Sequence, residues 1–305
     1  MRYQCLAKHR FLGSIVLLAV TACEPDKSDK AQDQPFNPSA DIHSNAGITE
    51  PRMVETRTDL NDDKQLSNSW KSRMHSELQR YQMEQPDAYQ HLLNLQPRKT
   101  RARKFRFIDN RFKDPESTAV LLYRLAEQKN TPEVREALVE AMSRTNGQYE
   151  DALLDLIAKE PSPKVKGRLI TASRRSKPSV AKQAVLLGLR DSSSFVKASA
   201  ARTAAKIPAD SDITDQLIRL LDDSEVKTQI AVIRSIRVLK PTDAREKLLR
   251  LTHSPNSTIR LEALYSITQI APHLLDQVSH LERDKVLEVS RAAMRLRSSM
   301  PHTDR

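Results

Sequence analysis

Apolar and polar residues are arranged along most of this chain with the period of an amphipathic helix. From about residue 115 onward, apolar residues recur three and four positions apart, and brief turns rich in Pro, Ser and Asp separate these stretches. This spacing places the apolar side chains on one face of a helix, where they can pack against neighbours. The pattern therefore predicts a succession of short helices, each with one buried face.

The predicted helices recur with a period of about thirty residues. A β-branched residue, usually followed by Lys or Arg, marks the start of every second helix, and we call this residue the anchor. Successive anchors are 31, 31, 30, 33 and 30 residues apart. A fixed period of this kind is typical of stacked helical repeats. The anchors are Val134, Val165, Val196, Val226, Ile259 and Val289.

The turns of these repeats resemble those of the HEAT-repeat family, particularly its short bacterial form. That form has an Asp in the turn, followed by Val with a basic residue and then small residues, as in Asp191-Ser-Ser-Ser-Phe-Val-Lys and Asp222-Asp-Ser-Glu-Val-Lys. The resemblance covers about residues 115–300. It implies an all-α fold, a right-handed α-solenoid of about six helix pairs. It also implies that the basic residue after each anchor forms a ladder with the turn Asp residues.

The segment before the repeats is predicted to be an N-terminal helical cap. Helical periodicity places four residues on one face, and Pro86 divides the segment into two helices: the four are Trp70, Met74, Leu78 and Tyr81. A terminal repeat needs such a shielding element because its outer face would otherwise expose apolar groups. A separate helix that binds a partner is the alternative. The predicted order is a cap at 66–112, a solenoid at 113–300 and a tail at 301–305.

The beginning of the chain has the organisation of a secretion signal. The basic residues Arg2, Lys8 and Arg10 precede an apolar run over residues 11–20. A run of about ten residues matches the apolar region of a signal peptide and is half the length that a membrane-spanning helix needs. We therefore expect residues 1–22 to be removed after export.

The sequence Val20-Thr21-Ala22-Cys23 resembles the lipobox of bacterial lipoproteins. The resemblance implies a diacylglycerol on the Cys23 thiol, cleavage between Ala22 and Cys23, and acylation of the new amine. Several acyl chains on one residue anchor a protein stably in a membrane. A cleaved signal with a chance cysteine is the alternative. Because Glu24 stands where Asp favours inner-membrane retention in enterobacteria, we expect the periplasmic face of the outer membrane.

Residues 23–65 are predicted to be a disordered linker behind the lipidated cysteine. The stretch from Glu24 to Gln65 is rich in polar residues and carries ten acidic and five basic residues. Such a composition cannot bury enough apolar surface to offset the entropy of ordering. A flexible chain of this length spans roughly 35–40 Å, so the folded part is expected to stand off the membrane.

Composition excludes several classes of enzyme and metal site. The chain has five glycines, and only Gly147, Gly167 and Gly188 lie beyond the first fifty residues. Phosphate-binding loops and dinucleotide-binding turns need clustered glycines, so these sites are excluded. Both cysteines, Cys5 and Cys23, lie near the start of the chain, which leaves the repeats without a disulfide or a thiolate metal site.

We expect neither an enzyme, nor a cofactor, nor a bound metal. His273, Asp276 and His280 could share one helix face and offer two imidazoles and a carboxylate to zinc. In a helix, however, the two histidines would lie about 10 Å apart along the axis, too far to converge on one ion. An enzyme whose site is assembled from distant loops is the least favoured alternative, because the repeat turns are short.

Positive charge on the folded part indicates an anionic or acidic partner. Residues 66–305 carry 42 basic and 29 acidic residues, a net charge of +13. Basic residues that follow their anchors by ten or eleven positions would align into a stripe across stacked helices: Arg144, Arg175, Lys206 and Arg237. The alternative is that these cations complement the dipoles at helix C-termini.

The favoured function is a membrane-anchored, non-catalytic adaptor that binds other envelope proteins on its helical-repeat surface. Electrostatic binding of an anionic envelope polymer or of lipid headgroups is the first alternative, because basic surfaces attract anionic lipids. Basic helical-repeat proteins can also bind DNA, and one family of DNA glycosylases is built from such repeats. The export signal argues against a nucleic-acid partner here.

Overall fold

The computed structural model describes residues 59–107, 113–127 and 129–299, with side chains from Ser69 onward. The described residues belong to one compact unit within Thr56–Arg305. Several predicted features lie outside the described residues: the signal (1–22), the lipidated Cys23, the linker up to residue 58, and the tail (301–305).

The described part of the chain is built of helices joined by short turns, so the all-α expectation is confirmed. The α-helices are α1 (Asp59–Glu84), α2 (Pro86–Asn94), α3 (Pro115–Ala126), α4 (Pro132–Met142), α5 (Glu150–Lys159), α6 (Pro163–Ser173), α7 (Pro178–Leu189), α8 (Ser194–Ala204), α9 (Ser211–Leu220), α10 (Val226–Leu239), α11 (Arg245–Leu251), α12 (Ser257–Ile270) and α13 (Leu287–Ser298). Two 3₁₀ segments, Thr242–Ala244 and Pro272–Arg283, lie among the last helices. One antiparallel hairpin joins β1 (Arg98–Lys99) to β2 (Phe105–Arg106).

Helix α1 buries the predicted apolar stripe. Trp70, Met74, Leu78 and Tyr81 are each at most 6% exposed, and α1 packs against α2, α3 and α5. The helix begins at Asp59, within the last residues of the linker predicted at 23–65. Once tertiary packing has nucleated a helix, extending it into adjacent polar residues costs little, and composition alone does not reveal this.

Arg124 connects the cap to the repeats. Its side chain lies in the core, 4% exposed, and its guanidinium donates to the carbonyls of Leu92 and Leu95 at 2.9 and 2.8 Å. These carbonyls are at the C-terminal end of α2, where helix carbonyls lack partners within the helix. Burial lowers the pKa of Arg124. The basic segment that follows α2 forms the hairpin, and β2 packs against α4.

From α3 onward the helices pack in consecutive pairs. Helices α3, α5, α7, α9 and α11 each contact the helix that follows them, and the long 3₁₀ segment contacts α13. The second helices of these pairs also contact one another in order, from α4 through α6, α8, α10 and α12 to α13. The periodicity in the sequence thus corresponds to a succession of stacked helix pairs.

Local sequence explains where many of these helices start. Prolines stand in the first turns of α3, α4, α6 and α7, where the missing N–H costs nothing. Side chains cap the starts of three helices, α3, α9 and α12. Asp114 caps α3 by accepting from the N–H of Ser117 at 2.7 Å, and Asp210 and Asn256 cap α9 and α12. Each cap satisfies backbone donors that have no partner within the helix.

At four positions, the basic residue after the anchor forms an ion pair with an acidic residue of the next helix pair. This acidic residue lies in the turn just before the second helix of that pair. The pairs are Arg135–Glu160, Lys166–Asp191, Lys197–Asp223 and Arg260–Asp284. Each acid also accepts the backbone N–H two residues further along at 2.8 Å. The ladder that the family resemblance implies is therefore present at these positions, and it links α4, α6, α8 and α12 to the turn between the two helices of the next pair.

The predicted anchor of α10 was wrong by two residues. Val226 is 37% exposed, whereas the side chain of Thr228 is fully buried. The neighbouring Gln229 occupies the ladder position and donates to the carbonyl of Leu221 at 2.8 Å, while Lys227 is exposed. Taking Thr228 as the anchor gives separations of 32 and 31 residues on either side, closer to the common period. The Val-Lys pair in the sequence was misleading because packing between α8 and α12 decides which residue is buried.

Candidate functional site

Three of the four predicted stripe residues occupy equivalent positions. Arg144, Arg175 and Lys206 each follow their anchor by ten residues and are exposed at the C-terminal ends of α4, α6 and α8. Counted from Thr228, the equivalent residue of α10 is Val238, which is 59% exposed. The basic stripe therefore does not continue onto α10.

Arg237 lies one residue earlier, in a different environment. Its guanidinium is 2.8 Å from the carboxylate of Glu262 and 6.0 Å from the ring centroid of Tyr265. Glu262 also accepts from Nε of Arg234 at 2.8 Å, and this hydrogen bond raises the pKa of Arg234. Arg237 thus shares one carboxylate with Arg234, a cluster with a net charge of +1, and its engagement with Glu262 and Tyr265 favours a structural role.

Arg144 and Arg175 line a small cleft between the C-terminal ends of α4 and α6, with a volume of about 180 Å³. Arg168 and Arg174 also line it, and we call the space between these four residues the arginine cleft. Arg175 crosses from α6 to α4 and donates to the carbonyl of Ser143. The sequence pattern predicted two of the four cleft arginines; the other two were missed, because neither lies ten residues after an anchor.

Two carboxylates lie at the edge of the arginine cleft. Glu140 accepts from Arg144 at 2.6 Å and is 3.5 Å from Nε of Arg106, which comes from β2. Glu136 accepts from Arg168 at 2.7 Å. Positive side chains therefore outnumber negative ones around the cleft.

A wider groove of about 770 Å³ lies between α5 and α7. Its apolar lining residues include Leu154, Ala158, Val180, Leu186 and Leu187, and we call it the α5–α7 groove. Leu187 is 46% exposed and is one of seven large apolar side chains that are exposed among the described residues. The sequence analysis did not predict this groove, because its apolar lining residues follow the same helical periodicity as residues of the core.

Charged side chains form the rims of the α5–α7 groove. On one side, Asp151 of α5 pairs with Arg73 of α1 at 2.7 Å, and Glu150 is 3.3 Å from the ammonium of Lys177. Arg190 lines the groove at the C-terminal end of α7 and has no acidic partner among the residues whose side chains the structure describes. The groove thus combines an apolar floor with one cation whose charge is not compensated.

The three residues that we considered as zinc ligands are not brought together. The long 3₁₀ segment has three residues per turn, so positions four apart face different directions. Asp276 pairs with Arg297 at 3.3 Å, and the ring of His280 stacks on that of His253 with centroids 4.0 Å apart. His273 lines a separate cleft beside Thr242 and Glu246. Within the described ranges, no group of three or more His, Cys, Asp or Glu residues could hold a metal ion.

The predicted processing residues, Ala22 and Cys23, lie outside the described residues. Of the helices in the described part, none is both long enough and apolar enough to cross a bilayer.

No protein-family model matches this chain, and no curated protein matches it at a significant level. Two crystal structures of engineered proteins resemble part of it, each with 17% sequence identity over 60% of this chain. The first has a TM-score of 0.39 with 63% of its own length matched, and the second has a TM-score of 0.37 with 91% matched. Likenesses this weak assign neither a repeat family nor a function.

Proposed function

We propose that this protein is a membrane-anchored, non-catalytic adaptor that binds other envelope proteins through its helical-repeat surface. In this proposal Cys23 carries the lipid, the protein faces the periplasm from the outer membrane, and the platform is a right-handed, HEAT-like solenoid of about six helix pairs. The lipobox resemblance supports the anchor. The stacked helix pairs and the ion-pair ladder support the platform.

The observation that carries the proposal is the α5–α7 groove. Exposed apolar surface with a charged rim is characteristic of interaction sites, because a monomer otherwise buries such groups. Apolar residues of both α5 and α7 line the groove, and its volume of about 770 Å³ is enough for several side chains. A partner helix that lays its apolar face into a groove of this kind is a common mode of recognition.

Helix α1 shows that the surface beside the α5–α7 groove packs against an amphipathic helix. It buries Trp70, Met74 and Leu78 at spacings of four residues while it packs against α3 and α5, and its Arg73 pairs with Asp151 at the edge of the groove. The proposed partner is accordingly an amphipathic helix of an envelope protein, with apolar residues three and four apart. An acidic residue on its flank would pair with Arg190.

Site-specific photo-crosslinking in cells tests this function. A photo-reactive phenylalanine replaces Leu187 in the groove, and in a matched control it replaces Met83, a 77% exposed residue of α1 outside the groove lining. We expect the probe at position 187, but not at position 83, to crosslink an envelope protein on the apolar face of a helix. We expect Leu187→Asp to abolish co-purification of that protein.

Two results would overturn the adaptor function. One is the same set of crosslinked proteins from both probe positions, which would indicate chance encounters. The other is a crosslink from position 187 that maps to a partner surface without an amphipathic helix, together with undiminished co-purification of that protein by the separate Leu187→Asp variant.

A second candidate function, electrostatic binding of an anionic envelope polymer or lipid surface, is favoured by the net charge of +13 on residues 66–305. Salt distinguishes the two functions, because exposed charges are screened within about 8 Å at physiological ionic strength. Polyanion binding should collapse between low and moderate salt, whereas a packed apolar contact should persist.

A further inference from the structure

The basic residues that line the arginine cleft are all arginines. Arg144 follows α4, Arg168 lies in the middle of α6, and Arg174 and Arg175 follow its last residue. Arg106 of β2 lies beside the cleft, 3.5 Å from the carboxylate of Glu140. An arginine guanidinium presents a planar fork of donors that matches phosphate oxygens in pairs, which a lysine ammonium does not. Side-chain chemistry therefore favours a planar or tetrahedral oxyanion over a general negative surface.

The charge around the arginine cleft is not balanced. The lining residues are four arginines and Glu140, a net charge of +3, and the neighbouring Arg106 and Glu136 add one charge of each sign and leave this net unchanged. The C-terminal ends of α4 and α6 contribute roughly half a negative charge each, about −1 together. Complementing the helix dipoles therefore accounts for only about one of the three excess charges, and about two remain for a ligand.

The donors around the cleft are also only partly engaged. Arg144 directs one nitrogen to Glu140, and Arg175 directs one to the carbonyl of Ser143. Arg174 is exposed and has no acidic partner among the described side chains. Since each guanidinium has five N–H donors, several remain free to bind an anion in the cleft.

We propose that the arginine cleft binds a phosphoryl group, with Arg144, Arg174 and Arg175 as its principal donors. The group is the phosphate of a lipid headgroup or of a soluble phosphate compound, which share this chemistry. The site lies between α4 and α6, and its existence depends neither on the α5–α7 groove nor on lipidation of Cys23.

The test uses the full chain with Cys23→Ser, so that an acyl anchor does not contribute to binding. Calorimetric titration with inorganic phosphate measures the affinity of the cleft, and co-sedimentation with phosphatidylglycerol vesicles, against phosphatidylcholine vesicles, measures headgroup binding. The cleft variant is Arg144→Ala, Arg174→Ala and Arg175→Ala together. The matched control removes three exposed arginines that do not line the cleft: Arg80→Ala, Arg219→Ala and Arg250→Ala.

We expect the cleft variant to lose measurable binding while the control stays within about twofold of the parent, since the control has the same net charge. Arg174→Ala alone, which breaks no described contact, should weaken binding about tenfold, the effect of losing one charge-assisted hydrogen bond. Circular dichroism should show that both triple variants keep the helix content of the parent.

The two ligand arms identify the source of the phosphoryl group. Loss of phosphatidylglycerol binding in the cleft variant alone indicates a headgroup, and a phosphate affinity without vesicle binding indicates a soluble compound; both results support the site. An equal loss in the control variant, or no binding of either ligand by the parent, would overturn it.

Discussion

The charged side chains of the ion-pair ladder are paired and largely buried within the protein, so they stabilise the fold and do not bind a ligand. Arg260 and Asp284 are joined by two hydrogen bonds, of 2.6 and 2.8 Å, and their side chains are 7% and 6% exposed. The hydrogen bonds from Arg260 lower the pKa of Asp284. Because removing one member of a buried pair leaves an uncompensated charge, these residues are expected to matter for stability.

Asp284→Asn should make the stability of the protein less dependent on pH. A carboxyl whose pKa is lower in the folded than in the unfolded state stabilises the fold above its unfolded pKa, about 3.9 for Asp. That contribution disappears as the pH falls through the folded pKa. We expect the substitution to lower the free energy of unfolding by about 3 kcal/mol near neutral pH.

Urea unfolding at neutral pH and near pH 3 measures this effect, with the exposed Asp215→Asn as the control. The difference between the parent and Asp284→Asn should shrink at the lower pH. A difference of the same size at both pH values would show that the ion pair is not its cause.

Lys197 and Lys227 follow similar Val residues but have different roles. Lys197 pairs with Asp223, whereas Lys227 is exposed and outside the ladder. We expect Lys197→Ala to cost about 1.5–3 kcal/mol, as for hydrogen bonds to charged groups, and Lys227→Ala to stay within about 0.5 kcal/mol of the parent. Guanidinium unfolding gives both values, and equal effects would contradict the corrected register of α10.

The glycines of α6 and α7 lie where neighbouring helices leave little room for a side chain. A Cβ at Gly188 of α7 would lie 2.5 Å from Cδ1 of Ile170 and 2.8 Å from Cβ of Ala200. At Gly167 the nearest atoms are 3.0 and 3.1 Å away, at the ends of the side chains of Ser199 and Phe195. At Gly188 the Cβ of Ala200 is fixed to its backbone and cannot move aside. At Gly167 the ends of the Ser199 and Phe195 side chains can shift by a few tenths of an ångström.

Gly188→Ala should therefore destabilise the protein, by about 1–3 kcal/mol from overpacking. The gain of about 1 kcal/mol in helix propensity offsets only part of this cost. Gly167→Ala, with the same propensity gain and a softer contact, should be nearly neutral. Thermal unfolding of the two variants compares them directly, and a Gly188→Ala protein as stable as the parent would mean that α7 can move away from α6 and α8.

For the protein as a whole, the predicted membrane anchor and the candidate binding surfaces lie far apart in sequence. The predicted lipidation site is Cys23, and the candidate binding surfaces begin with Arg73 and Arg106. In the proposed function, the flexible linker that the sequence predicts covers 35 residues between Cys23 and α1, with an expected r.m.s. span of roughly 30–35 Å. Both surfaces are then expected to act near, but not in, the membrane.

Cys23→Ser should release the protein from the membrane fraction. Without the thiol no diacylglycerol can be attached, and the acyl chains are the proposed anchor. Cys5→Ser is the matched control, because Cys5 lies within the predicted signal and should leave fractionation unchanged. Cell fractionation in the absence of detergent measures both, and parent protein found in the soluble fraction would contradict the anchor.

The helical class, the period of about thirty residues and the buried stripe of α1 follow from local sequence. Hydrophobic periodicity depends on residues a few positions apart, and prolines and capping side chains act within one turn, so these features need no knowledge of distant contacts. The same holds for most of the ladder, because a basic residue follows the anchor at four of the six positions.

Contacts between distant segments account for the features that sequence reasoning missed. Thr228 is buried in place of Val226 because neighbouring helices select the face of α10. The arginine cleft joins residues from α4 and α6, and the α5–α7 groove joins two helices about thirty residues apart. Burial and charge balance at such places depend on which surfaces meet, and that is a property of packing which no local pattern encodes.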